Sequence, residues 1–211
     1  HVNNPTYKIG VQDVLTIRIW GDTGLNTGGE TKDVDKKSDG LVVQNNGTIF
    51  YPYVGNIKVE GKSIEAIRVL LTEKLSKYIT DPQISVGVSE YRSKRVYVMG
   101  EVRNPGTYPI SDTPMSILDI AMLGGINNQT ADTEQIFVIR RTSTNNGAVS
   151  EPVIYRFDGG SADAMLLAGQ FYLNANDVVF VAPAGVVSWN RVISNILPSV
   201  GLGAQVNSFG N

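Results

Sequence analysis

Short apolar runs begin directly after an aspartate at two distant places, Asp13-Val14-Leu15-Thr16-Ile17 and Asp177-Val178-Val179-Phe180-Val181. Each run predicts a β-strand. What precedes them is also alike. An apolar residue (Ile9, Leu173) is followed by one that tolerates a left-handed backbone (Gly10, Asn174), and two positions on stands Gln12 or Asn176. The spacing predicts a short strand, a tight polar turn built on Gly10 and Asp13 or on Asn174 and Asp177, and a second strand. Its recurrence predicts two small β-rich modules.

After the first strand, which runs to Trp20, the stretch from Gly21 to Gly40 has no apolar period and reads as a long loop. Asn46-Gly47 between apolar runs predicts a hairpin. Tyr51-Pro52-Tyr53-Val54-Gly55 reads as an edge strand or an extended connector, because Pro52 has no amide hydrogen for a ladder. Ser63 opens a helix in which Ile64, Ile67, Leu71, Leu75 and Tyr78 recur at helical spacing, and Asp81-Pro82 closes it. Ile84, Val86 and Val88 then alternate with polar residues and Gly87 as a strand with one buried face.

The second module opens with a hairpin, Val96–Gly100 and Gly106–Ile110 around Asn104-Pro105. Thr113 followed by Pro114 reads as the N-cap of a short helix carrying Ile117, Leu118, Ala121 and Met122 and ended by Gly124-Gly125. Strands Gln135–Arg141 and Pro152–Phe157 follow, then a helical turn from Ser161 to Leu167. This order predicts an α+β fold of two small mixed modules, residues 1–92 and 93–184, with a C-terminal amphipathic segment and tail over 185–211.

In that segment Val186, Trp189, Val192, Ile193, Ile196 and Leu197 share a broad apolar face. As a helix, Val186–Leu197 rises only about 18 Å, against a hydrocarbon core of about 30 Å. Pro198, Gly201 and Gly203 then interrupt it. Trp189, Val192, Ile193, Ile196 and Leu197 are therefore candidates for contact with a membrane, with docking on the chain's own core or on a neighbouring copy as the alternative of equal weight.

Composition narrows the chemistry. Eighteen Lys and Arg against 20 Asp and Glu, a net charge of -2, supply no obvious basic surface for nucleic acid. With no cysteine and His1 as the one histidine, disulfides, thiolate metal sites and Ser-His nucleophiles are left without their residues. No catalytic, metal or cofactor residue is assigned. Asp13, Asp119, Asp158 and Asp177 are the carboxylates from which a glycosidase pair would be drawn, but Asp13 and Asp177 hold the same turn position, which fits backbone capping better.

YKIGVQDVLTIRIW, followed by NNGTIFYPYVGNIKVEGKSIEAIRVLLTEKL and DPQISVGVSEYRSKRVYVMGEV, resembles the polysaccharide export domain of Wza-type outer-membrane polysaccharide export proteins. VYVMGEVRNPGTYPI with MSILDIAMLGGI resembles the soluble-ligand-binding (SLBB) β-grasp domain that follows it in that family. The resemblance covers Tyr7 to about Pro198. It implies a non-enzymatic, ring-shaped homo-oligomer, commonly an octamer, in the periplasm of a Gram-negative bacterium and associated with the outer membrane. The ring encloses a passage for capsular or exopolysaccharide and works with an inner-membrane polysaccharide co-polymerase. Long members carry two or more β-grasp domains and this chain has room for one, so a shorter ring stack is expected. Many members are lipoproteins anchored through an acylated cysteine; here the anchor lies upstream of His1 or there is none.

Within that frame Arg92, Lys94 and Arg95 form a basic cluster that lines the passage for an acidic polymer, serves as a solvated hinge between the domains, or forms ion pairs between subunits. Tyr51-Pro52-Tyr53 either stacks on sugar rings or packs within the protein. The alternative function is a soluble periplasmic saccharide-binding module, a monomer with no conduit role.

Overall fold

The computed structural model describes residues 6–20, 40–127, 129–141, 152–185 and 206–209. The chain divides into two compact units, His1–Lys94 and Arg95–Asn211.

In the first unit β1 (Val14–Trp20) is the middle strand of a three-stranded antiparallel sheet, between β2 (Leu41–Val42) and β5 (Gln83–Glu90). Leu15, Ile17 and Ile19 alternate inward from β1 and meet Ile84 and Val86 of β5 in the core. A separate hairpin pairs β3 (Thr48–Tyr51) with β4 (Gly55–Lys58). The hairpin is thus one turn further along than expected. Asn46-Gly47 does turn the chain, with the Gly47 amide donating to Gln44 O at 2.8 Å. The paired ladder, however, is closed by Tyr51–Val54, where the Val54 amide donates to Tyr51 O at 3.2 Å. Pro52, expected to mark an edge strand or connector, instead supplies the second turn position, where its locked φ is favourable. Tyr53 takes the third with φ 62°.

Helix α1 (Ile64–Leu75) starts at Ser63, whose Oγ accepts from the Ala66 amide at 3.2 Å. Ile67, Leu71 and Leu75 are fully buried one turn apart. The helix stops before Tyr78, contrary to the periodic reading. Ser76 caps it, and the amides of Tyr78 and Ile79 both donate to Leu75 O, at 2.8 and 2.9 Å. That tight turn carries Tyr78 out to solvent, 61% exposed.

The second unit is a six-stranded sheet in the order β11-β9-β8-β10-β6-β7. Its strands are β6 (Arg95–Gly100), β7 (Gly106–Pro109), β8 (Ala131–Arg140), β9 (Val153–Phe157), β10 (Val178–Pro183) and β11 (Val206–Phe209). The β10–β6 and β11–β9 pairs are parallel and the rest antiparallel. Helices α2 (Ile117–Gly124) and α3 (Ala162–Gln170) cover the face that presents Val96, Val98, Ile136, Val138, Val179 and Val181. The other face carries Phe137, Ile139, Ile154 and Ala182.

Three departures from expectation fall in this unit. The N-cap of α2 is Ser116, not Thr113: Ser116 Oγ accepts from the Asp119 amide at 3.2 Å while Asp119 Oδ2 accepts from the Ser116 amide at 2.8 Å. This reciprocal box satisfies two end donors at once, more than a lone Thr-Pro start offers. Helix α3 begins at its Ser161 cap as expected but runs three residues past Leu167. The tail beyond Pro198, Gly201 and Gly203, for which no strand is expected, contributes β11. No helix among the described residues is long and apolar enough to cross a membrane.

Candidate functional site

The two copies of the repeated phrase fold alike. In each, the aspartate amide donates to the carbonyl three residues back, Asp13 to Gly10 (3.3 Å) and Asp177 to Asn174 (3.1 Å). The same aspartate's Oδ2 accepts from that residue's amide, at 2.9 Å from Gly10 and 2.8 Å from Asn174. The left-handed position is not the one the sequence reading selected. It falls on Gln12 (φ 76°) and Asn176 (φ 68°), the third residue of each turn. Gly10 is required for space: a Cβ there would collide with the Ser93 side chain.

The turns then diverge in what each carboxylate holds. Asp13 is fully buried and accepts four further hydrogen bonds: Tyr7 hydroxyl (2.8 Å), Arg92 amide (2.8 Å), Ser93 amide (2.8 Å) and Ser93 Oγ (2.9 Å). Asp177, 1% exposed, receives the Arg140 guanidinium, with Nε at 3.0 Å from Oδ1 and Nη2 at 2.7 Å from Oδ2. Arg140 Nη2 also donates to Tyr172 O at 2.9 Å, and its guanidinium carbon lies 4.9 Å from the Phe171 ring centre. One buried carboxylate is solvated by polar donors and the other is paired with a cation, both workable answers to burying charge.

The turns also dock on different strands. Val43 both accepts from the Gln12 amide and donates to Asp13 O, an antiparallel exchange, each bond 2.9 Å long. In the second unit Arg95 O accepts from Asn176 and the Tyr97 amide donates to Asp177 O, the offset pattern of a parallel pair.

Of the basic cluster, Arg92 bonds Glu90 through its guanidinium and Asp13 through its amide. Lys94 Nζ lies 4.4 Å from the Tyr7 ring centre. Burial pushes the Lys94 pKa down, with the Asp13 charge acting in the opposite sense. Burial pushes the Tyr7 hydroxyl well above the tyrosine range, and its bond to Ser93 works against that shift. Arg95 opens β6 on its exposed side. Asp119 belongs to the α2 cap, and Asp158 accepts from the Gly160 amide at 2.8 Å. Each carboxylate considered for glycosidase chemistry is thus engaged by its own turn or cap.

Two surfaces stand out. Between α2, α3 and strands β8–β9 lies a cavity of about 440 Å³ lined largely by apolar side chains, among them Ile117, Leu118, Ile136, Phe157 and Met165. Beside it Met122 (76%) and Leu166 (68%) are exposed, as are Leu123 and Leu167. In the first unit Tyr53 (63% exposed) and Tyr78 bring their ring centres to 5.7 Å at an interplanar angle of 33°, while Tyr51 is fully buried. Helical spacing places Tyr78 with Ile67, Leu71 and Leu75, so nothing in the sequence announces this pair. The terminal residues Trp189, Val192, Ile193, Ile196 and Leu197, and nearly all of the Gly21–Gly40 loop, lie outside the described residues.

Two family models match this chain in tandem: "Polysaccharide biosynthesis/export protein" over residues 1–89 and "SLBB domain" over residues 94–181. The EPS I polysaccharide export outer membrane protein EpsA of Ralstonia solanacearum is 28% identical over 285 aligned positions, covering 92% of this chain and 76% of that protein. The polysialic acid transport protein KpsD of Escherichia coli is 30% identical over 140 positions (65% of this chain, 23% of KpsD). The capsule polysaccharide export protein BexD of Haemophilus influenzae is 31% identical over 132 positions (59% and 33%). With both models in this order along one chain, and relatives of that kind spanning most of its length, the protein belongs to the Wza-type family of outer-membrane polysaccharide export proteins.

Proposed function

We propose that the protein exports a capsular or extracellular polysaccharide from a Gram-negative cell, acting in the periplasm at the outer membrane as a ring-shaped homo-oligomer around a passage. The observation that carries this reading is the tandem of export domain and SLBB domain over residues 1–181, together with the export names of its relatives. Copies of the chain enclose the path, so a hydrophilic polymer crosses without tight binding, and an inner-membrane co-polymerase delivers it. The exposed apolar side chains of α2 and α3 support assembly, since a patch of this kind on a folded module marks a protein-contact surface.

Arg92, Lys94 and Arg95 are assigned on sequence to lining the passage for an acidic polymer, and Arg95 is exposed at the start of β6. Trp189, Val192, Ile193, Ile196 and Leu197 are assigned on sequence to contact with a membrane or a neighbouring copy. Deleting the gene in a strain without a paralogue tests the export role: surface polymer should vanish, and normal levels would refute it. Native mass in buffer and in detergent tests the ring, and a strict monomer in both would favour the saccharide-binding alternative.

A further inference from the structure

We propose that Tyr53 and Tyr78 form a platform on which a pyranose ring of the transported polymer rests. The inference rests on the export reading and names a contact point for its cargo.

The pair comes from two separately anchored pieces of chain. Tyr53 sits at the tip of the β3–β4 hairpin, held by the Val54 to Tyr51 bond, and Tyr78 sits in the turn that hangs on Leu75 O. Both mounts are rooted in the core, through Ile49, Tyr51 and Ile57 on the hairpin and Leu75 on the helix. The rings therefore meet in a geometry fixed by the backbone, which is what weak recognition of a passing polymer needs.

Tyr53 is also an unfavourable residue for its own backbone. A φ of 62° at the third position of this turn is glycine or asparagine territory. A bulky side chain there carries strain, and strain of this kind collects at functional positions. Packing does not call for it, since Tyr53 is 63% exposed and the aromatic packing of this turn is done by Tyr51.

The chemistry fits a sugar better than a protein. Pyranoses present C–H groups on a ring face, which suit the negative face of an aromatic ring, and hydroxyls at the rim, which a phenol meets as donor or acceptor. Close to the pair in sequence Asn56, Ser76, Lys77 and Thr80 are polar and exposed, while Pro52, Val54 and Ile79 are half-buried. A protein hot spot favours apolar, desolvated surroundings, which describes the α2–α3 surface instead.

The test uses the full chain and oligosaccharides cut by partial hydrolysis from the surface polymer of the bacterium that carries the gene, read by saturation-transfer NMR on the sugar protons. Ring-face protons should be saturated by the wild-type protein. The effect should fall about fivefold or more in Tyr53→Gly and Tyr78→Ala and stay within about twofold in Tyr53→Phe and Tyr78→Phe. Tyr53→Gly relieves the strained φ, so it should fold at least as stably while binding less, a combination a structural tyrosine would not give. No saturation by the wild type, or saturation that survives Tyr53→Gly, overturns the proposal. So does a Tyr53→Gly variant whose native mass changes while its sugar contact does not, which would assign the pair to a contact between copies. The gene deletion reads the export function separately, so either can fail alone.

Discussion

Ser93 is tied to Asp13, 80 residues earlier, through two atoms: its amide reaches Oδ1 at 2.8 Å and its Oγ reaches Oδ2 at 2.9 Å. The contact also dictates the residue at position 10, where any side chain would meet Ser93. A turn that looks local is therefore completed from the far end of its own unit.

Asp13→Asn should be costly. The amide retains one acceptor oxygen and turns its NH₂ toward backbone amides that themselves donate, those of Arg92 and Ser93 on one side or Gly10 on the other. The first unit should lose about 2–4 kcal/mol, read by hydrogen exchange resolved to that unit, with the Arg92 and Ser93 amides losing protection first.

The second turn depends on a buried ion pair, Asp177 at 1% and Arg140 at 16% side-chain exposure. Arg140→Met strands the carboxylate and should cost about 3–5 kcal/mol, while Arg140→Met with Asp177→Asn should recover much of it. Arg140→Lys should not rescue, because one ammonium cannot reproduce the guanidinium's bonds to Asp177 and Tyr172. Denaturant unfolding of the wild type, Arg140→Met, Asp177→Asn and the double variant measures the coupling.

Tyr7 makes the first unit sensitive to alkali. Its folded pKa lies above the ordinary value of 10.0, so the unfolded chain releases the proton first. Its contribution is thus intact below pH 10 and is lost as pH climbs from 10 toward the folded pKa. Lys94, depressed from 10.5, acts in the opposite sense below that value, where rising pH relieves its buried charge. Tyr7→Phe should flatten the loss above pH 10, checked by unfolding at several alkaline pH values.

Gln12→Gly and Gly10→Ala separate conformation from space. Glycine at position 12 relieves a left-handed glutamine and should raise stability by about 0.5–1 kcal/mol. Asn176→Gly should gain less, since asparagine tolerates that region. Gly10→Ala should cost about 1–3 kcal/mol by displacing Ser93. Thermal midpoints of the three variants suffice.

The sequence displayed what neighbouring residues decide. The inward alternation of Ile84 and Val86, the Ser63 cap and the 3.6-residue period of α1 follow from local chemistry. Ser116-x-x-Asp119 is as legible a helix start as Thr113-Pro114, and local sequence alone does not rank the two. Asn46-Gly47 was a true turn signal that could not say which strands would pair across it. Invisible from sequence were the partners of the two buried aspartates, because nothing near Asp13 announces Ser93 and nothing near Asp177 announces Arg140. The Tyr53–Tyr78 pair was hidden for a related reason: helical period continued through Tyr78, and only the Ser76 cap ends it.

The backbone gripped by Asp13 ends at Ser93, and the backbone gripped by the second turn begins at Arg95. Lys94 alone stands between them. For recombination this makes a natural seam. A domain graft, an added module or a shuffled homologue joined at Lys94 leaves each turn with all its backbone partners. A crossover placed two residues to either side separates a carboxylate or a turn from the strand it holds. Chimeras within this family should therefore tolerate exchange at that one peptide far better than at its neighbours.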